Sequence, residues 1–144
     1  MRFISTRFHG IIDYLLGIVL IAAPWLFNFA GNGPDTWVPV SLGIVTIIYS
    51  LFTDYELGAV KSISMRTHLW LDALAGIFLA LSPWLFGFEM LVYKPHLYVG
   101  VFELVFAMFT LIEPTYKGKF GGDIRVTGKE KVTIETEEPV DTER

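Results

Sequence analysis

Hydrophobic and polar positions along this chain fall into four long apolar runs, near residues 9–29, 37–54, 68–88 and 95–113. Each is close to the ~20 apolar residues that cross a bilayer as a helix. Polar positions within the runs are few, and they recur. Arg7, His9, Asp13, Gly17, Pro24, Trp25, Leu26, Phe27 and Phe29 are answered, fifty-nine residues later, by Arg66, His68, Asp72, Gly76, Pro83, Trp84, Leu85, Phe86 and Phe88. Gly43, Phe52, Thr53 and Glu56 are answered, fifty-seven residues later, by Gly100, Phe109, Thr110 and Glu113. Such a repeat decides the architecture before any single residue does. The predicted fold is all-α and transmembrane, a four-helix bundle made of two helical hairpins. Residues 1–58 form the first two-helix repeat, 59–115 the second, and 116–144 a charged cytoplasmic tail that is mostly disordered. Within that tail Ile124–Val126 and Val132–Ile134 alternate like short strands about Gly128, but an isolated hairpin is marginal in water.

Composition agrees with the pattern. Hydrophobic residues are 53% of the 144, and the mean hydropathy is +0.51, more apolar surface than a soluble core of this size can hide. The net charge of −4 comes largely from the acidic end (Glu135, Glu137, Glu138, Asp141, Glu143) and so identifies no partner. The chain has no cysteine, which excludes disulfides, thiolate metal sites and cysteine nucleophiles. The first run is too long for the apolar part of a signal peptide and lacks a following small-x-small cleavage site; its copy lies in mid-chain. It is read as a retained helix.

Orientation follows from lysine and arginine in the short loops. Arg2, Arg7, Lys61, Arg66, Lys117 and Lys119 fall on one side and Lys94 alone on the other. Both termini are therefore expected in the cytoplasm, the membrane being a prokaryotic inner membrane crossed by several spans. Each repeat crosses twice, so both insert the same way round as parallel repeats. Trp25, Trp37, Trp84, Tyr93 and Tyr98 gather at the outer helix ends as an aromatic belt.

The candidate chemistry lies in His9-x3-Asp13-x3-Gly17 and His68-x3-Asp72-x3-Gly76. Residues i and i+4 share a helical face, and the glycine admits a neighbouring backbone, so this face turns into the bundle. Ionisable groups there are costly and mark function by default. They are read first as structural staples between the repeats, second as a proton relay, and third as a metal site, because HxxxD alone is a weak metal signature. No metal or cofactor is assigned. Glu103, in mid-helix where the first repeat has Thr46, is the feature that breaks the symmetry. Pro24-Trp25 and Ser82-Pro83-Trp84 form the repeat motif. Each proline frees a carbonyl one turn back that must be satisfied within the membrane; Ser82 is placed to do so and Ala23 is not. Each tryptophan anchors its helix end. There is no phosphate loop, nucleophile elbow or zincin pattern, and no basic patch for nucleic acid.

Two copies of a helix opened by Arg-x-His-x-x-x-Asp and closed by Ser/Ala-Pro-Trp-Leu-Phe resemble the SPW-repeat family of small prokaryotic integral membrane proteins. The resemblance covers residues 7 to 113, including the Asp54-Tyr55-Glu56-x-Gly58 link into Met65-Arg66-x-His68. The first repeat departs from it at Ala23, and the tail lies outside it. The resemblance implies a membrane-bound pair of two-helix repeats and brings no activity or ligand. Three functions follow in order. First is a non-enzymatic membrane scaffold or accessory subunit. Second is a small proton- or cation-handling protein using Asp13, Asp72 and Glu103, and third a metal-dependent membrane enzyme. The expected partners are the lipid bilayer and a second copy or another membrane protein.

Overall fold

The computed structural model describes residues 2–117, 123–127 and 131–134. Four helices dominate it: α1 (Thr6–Leu26), α2 (Pro34–Leu51), α3 (Met65–Leu85) and α4 (Lys94–Phe109). The helices α1 and α2 pack as one hairpin, and α3 and α4 as the other. Strands β1 (Thr53–Asp54) and β2 (Ile63–Ser64) pair in parallel between the hairpins. The tail contributes β3 (Thr115–Lys117), β4 (Asp123–Thr127) and β5 (Lys131–Ile134), an antiparallel meander with Ile124 opposite Ile134 and Val126 opposite Val132. The four-helix expectation is met, while the strands add to an architecture expected to be all helix. The rest of the tail expected to be disordered lies outside the described residues.

Both long helices begin and end three residues earlier than the apolar runs suggest, for the same local reasons. Ser5 caps α1 by accepting from the Phe8 amide, and Ser64 caps α3 by accepting from the Thr67 amide, each at 3.2 Å. Such a side chain satisfies one of the amides that a helix start leaves open. At the other end Asn28 (φ 56°) and Gly87 (φ 70°) take the left-handed conformation at equivalent positions. The Phe29 amide then reaches back to Pro24 O and the Phe88 amide to Pro83 O, both at 2.8 Å. This six-residue closure is a Schellman stop. It ends the helix within the Pro-Trp-Leu-Phe segment, so the motif is the last turn of the helix and not a mid-helix kink.

Glycine sets the closeness of each hairpin. A Cβ on Gly43 or Gly17 would press on the facing helix (Gly43 O would lie 3.0 Å from one on Gly17), and one on Gly76 would lie 2.6 Å from Gly100 O. The same small-residue crossing thus occurs in both repeats at equivalent heights. The ends of the repeats are also exchanged. Thr53, after α2, pairs with Ile63, before α3, and Ile4, before α1, pairs with Thr110, after α4. Ile4 N donates to Phe109 O (3.1 Å) and Leu111 N to Ile4 O (2.8 Å), which closes the bundle on its own beginning.

Two buried apolar clusters, one around Leu20, Val38 and Leu79 and one around Tyr55, Met65 and Leu69, share the interior with an unusual number of polar side chains. Thr6, His9, Asp13, Thr46, Ser50, Thr53, His68, Asp72, Glu103 and Thr110 are all buried. Phe8, Leu15, Ile18, Trp70, Leu74, Val101 and Met108 are among the many large apolar side chains that face outward. Two helices, α1 and α3, are long and apolar enough to cross a membrane; α2 and α4 do not meet the same measure.

Candidate functional site: a crossed histidine–aspartate quartet

The N-terminal turns of α1 and α3 meet at the centre of the bundle, and they bring His9, Asp13, His68 and Asp72 together. Their ligating atoms all lie within 4.8 Å of one another. The shortest bonds run between repeats. His9 Nε2 is 2.9 Å from Asp72 Oδ2, and His68 Nε2 is 2.9 Å from Asp13 Oδ2. The contacts along each helix, His9 Nε2 to Asp13 Oδ1 and His68 Nε2 to Asp72 Oδ2, are longer at 3.3 Å. The i,i+4 spacing therefore puts each pair on the inward face, and the partner repeat takes the stronger bond. All four residues are at most 4% exposed, so no organic substrate reaches them in this conformation.

Hydrogen-bond accounting locates the protons. Thr53 Oγ1 donates to Tyr49 O (2.7 Å), and Thr110 Oγ1 donates to Phe106 O (2.8 Å). A hydroxyl has a single hydrogen to give. The contacts of Thr53 with His68 Nδ1 (2.9 Å) and of Thr110 with His9 Nδ1 (2.8 Å) must then be donated by the rings. Both imidazoles carry Nδ1–H and turn Nε2 toward the carboxylates. A bare Nε2 facing a bare carboxylate at 2.9 Å would be repulsive, so each crossed bond holds one proton. The quartet has two carboxylates and two bridging protons on two imidazoles, and is neutral as a unit. This is the state that a poorly polarisable interior tolerates. The two threonines are the functional residues that the repeat alignment contained but motif reading passed over. Thr53 and Thr110 were matched as a pair, yet nothing local says that each would bind the other repeat's histidine.

The surroundings break the twofold. Tyr49 donates to Asp72 Oδ1 at 2.6 Å, while its counterpart Phe106 lies flat on the His9 ring, with centroids 5.2 Å apart and planes inclined at 11°. Tyr49 meets His68 edge-on at 5.1 Å. Asp72 is therefore held by three groups and Asp13 by the two histidines alone. Glu103 is buried and its Cβ packs toward Gly76, one turn beyond Asp72, without joining the quartet. In the loop after β1, Tyr55 closes the end of the bundle nearest the quartet, beside His68 and over Gly10. Burial raises its phenol above the ordinary pKa, so the ring stays neutral.

The repeat motif lies at the opposite end of the bundle. Ser82 Oγ donates to Leu79 O at 2.8 Å, and Leu79 O is the carbonyl that Pro83 leaves without its amide. Ala23 offers no such bond to Leu20 O beneath Pro24. Trp25 and Trp84 both face outward, Trp84 with its ring 5.9 Å from Tyr93.

The family model described as the SPW repeat domain matches residues 7–110, which takes in both Pro-Trp helix ends and the whole quartet. The chain belongs to the SPW repeat family. Comparison with curated proteins and with solved structures gave no match. Within this SPW repeat protein the signature tripeptide thus lies in the last turn of the helix, just before the left-handed stop. The polar chemistry sits at the other end of the same helix, about 24 Å away over the sixteen residues from His9 to Trp25.

Proposed function

We propose that the chain is a four-span protein of a prokaryotic inner membrane, with both termini cytoplasmic, acting as a non-enzymatic scaffold or accessory subunit. The observation that carries this is the exterior of the bundle: large apolar side chains face outward along all four helices, while ionisable and hydroxyl side chains are buried among the apolar core. A soluble monomer rarely exposes a contiguous apolar patch above a few hundred Å², whereas here large apolar side chains are exposed along every helix. In hydrocarbon this exposure costs nothing. The helices α2 and α4 span about 27 and 24 Å, short of a ~30 Å core, which local thinning and flanking aromatic anchors accommodate. The outward positions of Trp25, Trp37, Trp84 and Tyr98 suit the headgroup level at one end.

In this reading the quartet is a clasp that fixes which faces of the two repeats meet. Buried charge pairs add little net stability over apolar packing, but breaking one partner is costly. The clasp therefore supplies register more than cohesion. Its closure to solvent favours a structural role over an enzymatic one, and the outward apolar faces of α2 and α4 are left for lipid, a second copy or another membrane protein. The double variant Asp13→Asn, Asp72→Asn tests the clasp through its melting temperature in detergent. A clear fall supports the clasp; an unchanged or raised value refutes it, since functional charge costs stability whereas structural charge supplies it. Topology is read by single-cysteine labelling in a chain with no native cysteine. Labels at residues 61 and 94 should react from opposite sides.

A second reading, proton or cation handling through Asp13, Asp72 and Glu103, is favoured by one observation, the placing of Glu103 a turn beyond the quartet. Flux into liposomes that disappears in Glu103→Gln would establish it in place of the scaffold.

A further inference from the structure

We propose that the quartet is a binding site for one divalent first-row transition-metal ion, held by His9 Nε2, His68 Nε2, Asp13 and Asp72, which takes the place of the two bridging protons. The inference uses the clasp reading only for the positions of the four side chains.

Three observations converge on it. The first is spacing. A tetrahedral ion with ligand bonds of about 2.0–2.1 Å has its ligand atoms about 3.3–3.4 Å apart. The histidine–carboxylate contacts in the quartet are 2.9, 2.9, 3.3 and 3.3 Å, Asp13 using a different oxygen for each histidine, and one ligand atom from each of the four residues lies within 4.8 Å of every other. An ion would seat by opening the crossed bonds slightly and drawing the wider-spaced ligand atoms in toward a common centre.

The second is the orientation of the rings. A metal-ligating histidine almost always donates its remote N–H to a fixed acceptor, which sets the tautomer and aims the other nitrogen at the ion. Thr110 and Thr53 do this for His9 and His68, and each threonine is itself locked to a helix carbonyl. A buried clasp must also satisfy each Nδ1, so the anchors serve both readings. What they add for a metal site is that both rings are held with Nε2 turned to the carboxylates.

The third is charge. With the ion bound, two neutral imidazoles, two carboxylates and a divalent cation again sum to zero. The exchange is one ion in and two protons out to water, so the apolar surroundings see a neutral site before and after. A monovalent ion displacing both protons would leave a net negative charge, and a trivalent ion a positive one. The mixed imidazole and carboxylate set, with no thiolate in the chain, suits zinc, cobalt or iron(II) rather than copper(I), calcium or magnesium. The way in is short, because His9 lies only four residues after the cap Ser5 at the inner end of α1.

The experiment uses the full chain in detergent, stripped with a chelator and titrated with zinc, and with cobalt(II) as the spectroscopic probe. The expected result is one ion per chain, a tetrahedral cobalt visible spectrum displaced by zinc, and two protons released per ion into a weakly buffered solution. The variants Thr53→Val and Thr110→Val keep all four ligands and remove the ring anchors; each should weaken binding about 10–100-fold. His68→Gln should abolish the cobalt spectrum. A folded parent that takes up no ion overturns the metal site and leaves the clasp standing, as does an ion bound with equal affinity by parent and His68→Gln. If instead the parent binds one ion while Asp13→Asn, Asp72→Asn melts like the parent in chelator, the clasp fails and the metal site stands.

Discussion

The asymmetry at Tyr49 gives the sharpest quantitative test. Tyr49→Phe removes one oxygen and leaves the ring that packs edge-on against His68, so no cavity of consequence forms. The deleted group is the donor 2.6 Å from Asp72 Oδ1. The histidines contact only Oδ2 of Asp72, so Oδ1 loses its hydrogen-bond donor. An unsatisfied acceptor of this kind costs about 1–3 kcal/mol in a soluble protein, but interhelical hydrogen bonds within membranes average about 0.6 and reach about 1.7 kcal/mol. The bond is short and its acceptor belongs to a buried carboxyl group, which places it at the upper end of the membrane range, about 1.5 kcal/mol. At roughly 2–4 °C per kcal/mol for a chain of this size, the melting temperature in detergent should fall by roughly 3–6 °C. The second repeat carries its own control, because Phe106 occupies the equivalent position. A double-mutant cycle with Asp72→Asn should recover most of the loss as coupling, and a cycle with Asp13→Asn should recover little, because Tyr49 has no bond to Asp13. Scanning calorimetry or tryptophan fluorescence reads all of these. Equal stability of Tyr49→Phe and parent, or equal coupling to both aspartates, would show that Tyr49 does not hold the quartet.

Other consequences are as direct. Ser82→Ala strips the rescue from Leu79 O and should cost about 0.5–1.5 kcal/mol in the same melt; the mirror change Ala23→Ser supplies the missing donor beneath Pro24 and should raise the melting temperature. Gly87→Ala forces a Cβ into the left-handed stop and should cost about 1–2 kcal/mol, whereas Asn28→Gly at the equivalent position should be neutral or stabilising. Gly76→Ala drives a methyl group to 2.6 Å from Gly100 O and should separate α3 from α4, at about 1–3 kcal/mol or more; a cross-link between cysteines placed on those two helices would report the separation, and an undiminished yield would count against close packing there.

Much of the plan is readable from the chain because it is written twice. Two offsets, fifty-nine and fifty-seven, give two hairpins and match Thr53 with Thr110 from the chain alone. The i,i+4 spacing puts His and Asp on one face, and the proline in each motif announces a freed carbonyl. Helix limits were less legible. Hydropathy continues through Phe29 and Phe88, whereas the stop is made by the backbone of Asn28 and Gly87 and the start by Ser5 and Ser64, polar residues just before the apolar runs. The tail strands were visible as alternation, but their pairing with Thr115–Lys117 was not.

The sequence by itself determined the repeat, the helix faces, the inward polar stripe and the apolar exterior, because these depend on local periodicity and on the solvent each side chain prefers. It left open which aspartate each histidine would bind. Asp13 is one turn from His9 in the chain, yet the shorter bond from His9 goes to Asp72. That choice belongs to the tertiary structure. Glycine contacts let each hairpin close, the exchanged pairings of Ile4 with Thr110 and Ile63 with Thr53 set the two hairpins at one height, and α1 and α3 then meet with their polar faces opposed. Four groups that are two ordinary helix pairs in one dimension become a single neutral, proton-sharing centre in three.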